Sequence, residues 1–266
     1  MGWLEQVIDT VAERSLELLG RRKADQDQVD DKQLCSTLLS RQGEASNIAL
    51  AHQILQRYAE KNDEEKTEFF LMLATSFDPD KDLICTAVSQ YDADSPESLQ
   101  QLIIAVEPPR QELFRRLNMA PRGTAALISM RSDLLPRLAG NPKLKVVDSD
   151  LVHLFSSWFN RGFLVLQSID WNSSAAVLEK LIQYESVHPM KGWDDLHRRL
   201  QNDRLCFAFF HPALPLVPLI FVEVAFTTGL TDNIDEIIGS GALSVEPATA
   251  DTAIFYSINN SLSGLR

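Results

Sequence analysis

Two short apolar runs stand out along the chain, Leu205 to Phe210 and Leu219 to Phe226, joined by a connection that carries Pro212, Pro215 and Pro218. Each run is too short for a helix of ordinary length and holds β-favouring residues, so each predicts a strand. Proline removes a backbone donor and fixes φ, so three of them make the connection a stiff turn and the pair an antiparallel hairpin. Both runs are apolar at odd and even positions alike, with only Glu223 interrupting the second. That pattern predicts a sheet covered on both faces.

The first half of the chain has the other periodicity. Trp3, Leu4, Val7, Ile8 and Val11 recur at helical spacing, and Leu16, Leu18 and Leu19 close that segment before Gly20. Residues 21–32 are polar and predict a solvated joint. Ser46 is a candidate cap for a helix with Ile48, Ala51, Leu55 and Tyr58 on its apolar face. Phe69, Phe70, Leu73 and Phe77 make another face. Asp78 before Pro79 and Ser95 before Pro96 each place a capping oxygen beside a proline at a first helical position. Pro108 and Pro109 separate two further helices, the second with Leu113, Leu117 and Met119, and Gly140, Asn141 and Pro142 mark a break.

A helix over residues 148–160, capped by Asp148, Ser149 or Asp150 and ended by a left-handed Gly162, carries the chain into its second half. From there the pattern predicts a strand over 163–171, helices over 175–184 and 193–200, the hairpin, a short helix over 233–238, a loop over 239–250 and a strand over 252–259. The expected architecture is α plus α/β: an all-helical domain over 1–145, then a mixed α/β domain over 146–266.

Composition narrows the partners. The 266 residues are 45% hydrophobic and 23% charged, with a net charge of −12. Such a balance describes a globular protein and argues against a nucleic-acid binder, which needs clustered Lys and Arg. No apolar run approaches the roughly 18 residues that span a membrane. Cys35, Cys85 and Cys206 are widely spaced and odd in number. Together with an N-terminus that lacks a secretory pattern, they predict reduced thiols in a cytoplasmic protein.

Candidate chemistry is sparse. His211 and His188 each precede a proline and read more readily as structural hydrogen-bonders than as bases. Glu223 reads as a solvated or paired charge. Tyr256 and Ser257, near the end of the last strand, are candidates for lining a pocket or for core. His52, His153 and His197 have no second ligand at i+3 or i+4, so no metal site is predicted. No nucleophile elbow, P-loop or dinucleotide fingerprint is present.

Longer phrases carry a resemblance. FFHPALP (209–215) and PLIFVEVAFT (218–227) resemble the malonyl-CoA decarboxylase family, as do LFSSWFNRGFLVLQSIDW (154–171), YESVHPMKGWDDLHRRL (184–200) and DTAIFYSINNSLSGLR (251–266). The resemblance implies conversion of malonyl-CoA to acetyl-CoA and CO2 in fatty-acid metabolism, with malonyl-CoA as substrate and no cofactor. It implies an acetyltransferase-like (GNAT) catalytic domain whose first half this chain supplies, and homo-oligomers formed through the helical domain. Family members carry a catalytic Ser in a Ser-Pro-Ile-Pro-Gly-Phe phrase and later a His. Neither phrase occurs in these 266 residues, so no catalytic residue is assigned within the chain, and the chain alone is expected to be inactive. Arg266 is the one candidate cofactor-binding residue, at the start of the loop that meets the CoA pyrophosphate in the family. Two other readings stand beside this one: a non-catalytic helical interaction module with a degenerate acyl-CoA-binding domain, and, by fold analogy alone, an acyl-CoA-dependent acyltransferase.

Overall fold

The computed structural model describes residues 29–40, 43–239, 242 and 244–265. The helix predicted over residues 3–19 and the candidate Arg266 lie outside the described residues. The chain divides into two units, one through Ser157 and one from Trp158.

Helices build the described part of the first unit. They are α1 (Asp31–Ser40), α2 (Glu44–Glu60), α3 (Asp63–Ser76), α4 (Lys81–Ser89), α5 (Pro96–Val106), α6 (Pro109–Asn118), α7 (Gly123–Leu134) and α8 (Lys145–Trp158). Their apolar stripes bury Leu38, Phe70, Leu73, Leu113, Phe114 and Leu127. Asn62 caps α3 through the backbone N–H groups of Glu64 and Glu65, and Glu65 returns the contact to the Asn62 N–H. At α5 the Ser95 hydroxyl accepts from the Ser98 N–H ahead of Pro96, as its sequence predicts.

Other helix starts differ from the sequence expectation. Asp80, not Asp78, caps α4, because Asp78 is drawn to the guanidinium of Arg110 at 2.8 Å. Arg110 is fully buried and also donates to Asp150 at 2.7 Å and to the Leu73 carbonyl at 2.9 Å. Asp150 is therefore inside α8 as an ion-pair partner rather than at its start. Asp148 likewise accepts from Arg131 at 2.7 Å. Ser46 sits within α2, where its hydroxyl donates to the Gly43 carbonyl. Gly162 has no left-handed φ; Asn160 instead caps a 3₁₀ turn over Arg161–Phe163.

The second unit is a four-stranded sheet in the order β1 (Val165–Ile169), β2 (Arg204–Phe210), β3 (Ile220–Thr227), β4 (Thr252–Asn260), every neighbour antiparallel. Helices α9 (Ala175–Tyr184) and α10 (Trp193–Arg199) lie between β1 and β2 in the chain, and the short α11 (Asp235–Ile238) between β3 and β4. The predicted hairpin is β2–β3, with Cys206 opposite Glu223 and Ala208 opposite Phe221. One face of the sheet packs Cys206, Ala208, Phe210 and Phe221 against Val177, Leu178, Leu181 and Leu196 of α9 and α10.

The opposite face is not covered throughout, contrary to the expectation from the two apolar runs. Its central residues Val222 and Val224 are buried, whereas Leu166, Leu205, Phe255 and Ile258 are exposed, the last two at 62%. Phe207 and Phe209 belong to this face and are only half-buried.

The two faces therefore predict different costs of truncation. Phe221→Ala should destabilise the chain by roughly 3–5 kcal/mol in urea unfolding, as a filled aromatic site is emptied. Phe209→Ala should cost clearly less. Equal costs would place both rings in one core and contradict the assignment of faces.

Candidate functional site

Charge is concentrated where the sheet is most buried. Glu223 lies mid-strand on β3, directly opposite Ser257 of β4, and is only 1% exposed. Between Glu223 and Val224 the β3–β4 register slips: Val224 pairs with Phe255, so Tyr256 is the inserted residue. A bulge of this kind bends its strand and re-aims its side chains, here those of Tyr256 and Ser257.

Four segments contribute to the cluster. Arg199, the last residue of α10, donates to Glu223 Oε2 at 2.7 Å and lies 3.7 Å from Glu185 Oε2. Glu185 follows α9, and its carboxylate meets four donors. Oε1 accepts from the backbone N–H groups of Val187 and His188 at 2.8 and 2.7 Å. Oε2 accepts from Ser257 Oγ at 2.8 Å and Asn259 Nδ2 at 2.7 Å. Asn259 completes the weave, its Oδ1 accepting from the backbone N–H and the hydroxyl of Ser186. Among these groups Glu223 Oε1 and the hydroxyl of Tyr256 are buried without a hydrogen-bond partner.

The electrostatics follow from this packing. Burial pushes the Glu223 carboxyl up to about 7, with the negative Glu185 adding to the effect and Arg199 opposing it. Burial, reinforced by Glu223, drives the Tyr256 phenol well above its ordinary value. The Cys206 thiol is raised by burial and by both glutamates, so it is an inert core group.

A second ionic knot adjoins the first. Asp203 accepts from Arg198 at 2.8 Å and from the Val245 N–H at 3.1 Å, and it pairs with Arg204 at 2.8 Å. Arg204 also donates to the Ile237 carbonyl at 2.6 Å, which ties α11 to the start of β2. Burial pushes Asp203 upward, but its Arg198, Val245 and Arg204 partners outweigh burial and hold its carboxyl below the ordinary range.

Among the residues singled out from sequence, Glu223, Tyr256 and Ser257 come together here. The histidines do not. His211 is held in place at both ring nitrogens: Nε2 donates to the Trp158 carbonyl and Nδ1 accepts from the Ala213 N–H, each at 3.1 Å. Its ring rests against Phe159, so it fastens the turn after β2 and has no nitrogen left for proton transfer. His188 enters through its backbone N–H and carbonyl, with its ring 6.4 Å from that of Tyr256. His197 stacks near Trp171. No group of three His, Cys, Asp or Glu among the described residues is placed to hold a metal ion. No described helix is long and apolar enough to cross a membrane.

Glu185, Arg199 and Asn259 do not stand out in the sequence. Their one visible signal is Glu223 itself: an acid alone in an apolar strand requires a buried cation, and Arg199 ends the helix that packs on that face.

Comparison with known proteins fits this architecture. Residues 77–159 match the model of the malonyl-CoA decarboxylase N-terminal domain, and 162–266 match that of the C-terminal domain. The chain is 50% identical to a solved malonyl-CoA decarboxylase from Rhodopseudomonas palustris, with a TM-score of 0.83 over 87% of this chain and 57% of that one. For the Agrobacterium vitis protein the values are 48% and 0.84, over 90% of this chain and 58% of that one. The mitochondrial malonyl-CoA decarboxylase of Anser anser anser is 37% identical over 60% of this chain and 33% of its own length. The chain thus spans about a third of that curated relative. With two domain models matched in order and about half of the aligned residues shared with two solved members, the chain belongs to the malonyl-CoA decarboxylase family.

Proposed function

We propose that this chain forms the helical domain and the first part of the catalytic domain of an enzyme that converts malonyl-CoA to acetyl-CoA and CO2. The observation that carries the reading is the likeness to solved malonyl-CoA decarboxylases across both units, at about half identity.

Loss of CO2 from malonyl-CoA leaves a thioester enolate. Catalysis therefore needs donors aimed at the thioester oxygen and a proton source for the α-carbon. No Ser-Pro-Ile-Pro-Gly-Phe phrase lies in these 266 residues, and His211 is committed to its turn. In this reading the chain's own residues position rather than react. The Glu185–Arg199–Glu223 cluster fixes β4, and β4 leads into the turn Ser263–Leu265 and on to Arg266. The resemblance makes Arg266 the candidate contact to the CoA pyrophosphate, a group that backbone N–H donors can hold. The three free cysteines support a cytoplasmic setting, which cell fractionation would test.

A chimaera tests the assignment. Residues 1–266 exchanged for the matching part of the Agrobacterium vitis protein should retain acetyl-CoA release from malonyl-CoA within about tenfold. Residues 1–266 alone should release none, since loss of a proton-transfer group already costs about 10²–10⁴ in rate. A folded chimaera that processes another acyl-CoA but not malonyl-CoA would overturn the reading, as would turnover by the isolated chain.

A specific surface supports self-association through the helical domain. Helix α5 buries none of its residues. Ile103 and Ile104 are 56% and 65% exposed, and Leu83 and Val88 of the adjoining α4 are exposed as well. Exposed apolar side chains on two adjoining helices support an interface there. Size-exclusion chromatography with light scattering should find an oligomer that Ile103→Glu with Ile104→Glu converts to monomer. A wild-type monomer at high concentration would contradict the interface.

A further inference from the structure

Two carboxylates and one guanidinium share the interior of the second unit, and their hydrogen bonds are distributed unequally. Glu185 has four donors on its two oxygens, the pattern of a carboxylate that only accepts. Arg199 divides its donors between Glu223 Oε2 and the His188 carbonyl. Glu223 Oε1 is left bare, and so is the hydroxyl of Tyr256, the residue that the β4 bulge inserts beside Glu223. A buried carboxylate with one oxygen unsolvated is costly, and taking up a proton is the cheaper state.

We propose that Glu223 and Tyr256 form a buried proton-binding site in which Glu223 Oε1 takes the proton and the phenol is its hydrogen-bonding partner. The groups facing Glu223 agree with this from each packed element. Arg199 of α10 is already spent on Oε2; Glu185 beyond α9 is a like charge; Cys206 of β2 is a neutral thiol; Arg204 of β2 gives its two Nη groups to Asp203 and Ile237, its buried Nε has no hydrogen-bond partner, and its charge favours the ionised Tyr256 rather than a bond to Glu223. With Oε1 protonated the acid donates to Tyr256 Oη. Once the proton has left, the phenol turns and donates to the carboxylate. The bulge keeps a hydrogen bond in both states, and the pair holds its partners at near-neutral pH, where Glu223 is poised at about 7.

The sign of the linkage is set by the direction of that shift. Between the ordinary glutamate value of 4.5 and about 7 the folded chain holds a proton that the unfolded chain has released. Stability therefore falls as pH rises through that window and levels off above it.

The test is carbon-13 NMR of the full 266-residue chain labelled at glutamate Cδ, titrated with pH. One carboxyl resonance should titrate with a midpoint near 7 and be absent from Glu223→Gln. Tyr256→Phe removes a donor to the carboxylate and should raise that midpoint by about half a pH unit or more, whereas Glu185→Gln removes a like charge and should lower it. These opposite displacements assign the resonance even if Glu223→Gln does not fold. A Glu223 midpoint at or below 4.5, or one that Tyr256→Phe leaves in place, overturns the proposal.

Discussion

A single guanidinium placed between two buried carboxylates is the interaction on which the second unit depends. Arg199 ends α10, Glu185 follows α9, Glu223 is mid-strand in β3, and Glu185 reaches on to Ser257 and Asn259 of β4. Both helices and two of the four strands are thereby joined at one point. Apolar packing alone does not fix register so tightly, because an apolar face tolerates small slides that a two-ended ion pair does not. The bulge at Tyr256 belongs to the same arrangement, since it brings Ser257 opposite Glu223 while Phe255 still pairs with Val224.

The helical unit uses the same device. Arg110 is buried and holds Asp78, Asp150 and the Leu73 carbonyl, so α8 and the end of α3 meet at one side chain. Buried ion pairs of this type contribute little net stability over a well-packed apolar substitute, because desolvation offsets most of the attraction. Their effect is on uniqueness of arrangement: removing one partner leaves a charge in the interior with nothing to meet it. In a chain that belongs to an enzyme family, such pairs suit a scaffold that must hold a site to within fractions of an ångström.

Much of the secondary structure is legible in the sequence for physical reasons. The hairpin, α9, α10 and β4 follow from apolar periodicity and from prolines that only turns accept. Ser95–Pro96 and Pro109 mark starts that the structure keeps. The departures at Asp78, Asp148 and Asp150 share one cause. Asp78, Asp148 and Asp150 have the chemistry of caps, but each has a buried arginine as partner, and an ion pair across tens of residues leaves no trace in local spacing. Helix α1 falls partly in a stretch whose polarity predicts a joint, although Leu34, Cys35 and Leu38 are buried. The site is legible only as the oddity of Glu223. Its partners Glu185 and Arg199 stand 38 and 24 residues away (223 − 185 and 223 − 199), and β-strand register, which no local pattern reveals, brings Ser257 and Asn259 beside them.

A double-mutant cycle on Arg199→Met and Glu223→Gln, followed by urea unfolding at about pH 8, above the Glu223 midpoint, tests most directly whether this shared guanidinium organises the unit. Arg199→Met alone should cost roughly 3–5 kcal/mol, because it strands two carboxylates in the interior. In the Glu223→Gln background, with one of those charges gone, the same substitution should cost less by at least about 1 kcal/mol. An identical cost in both backgrounds would mean that Arg199 and Glu223 act independently, and the shared guanidinium would not be what holds the sheet to its helices.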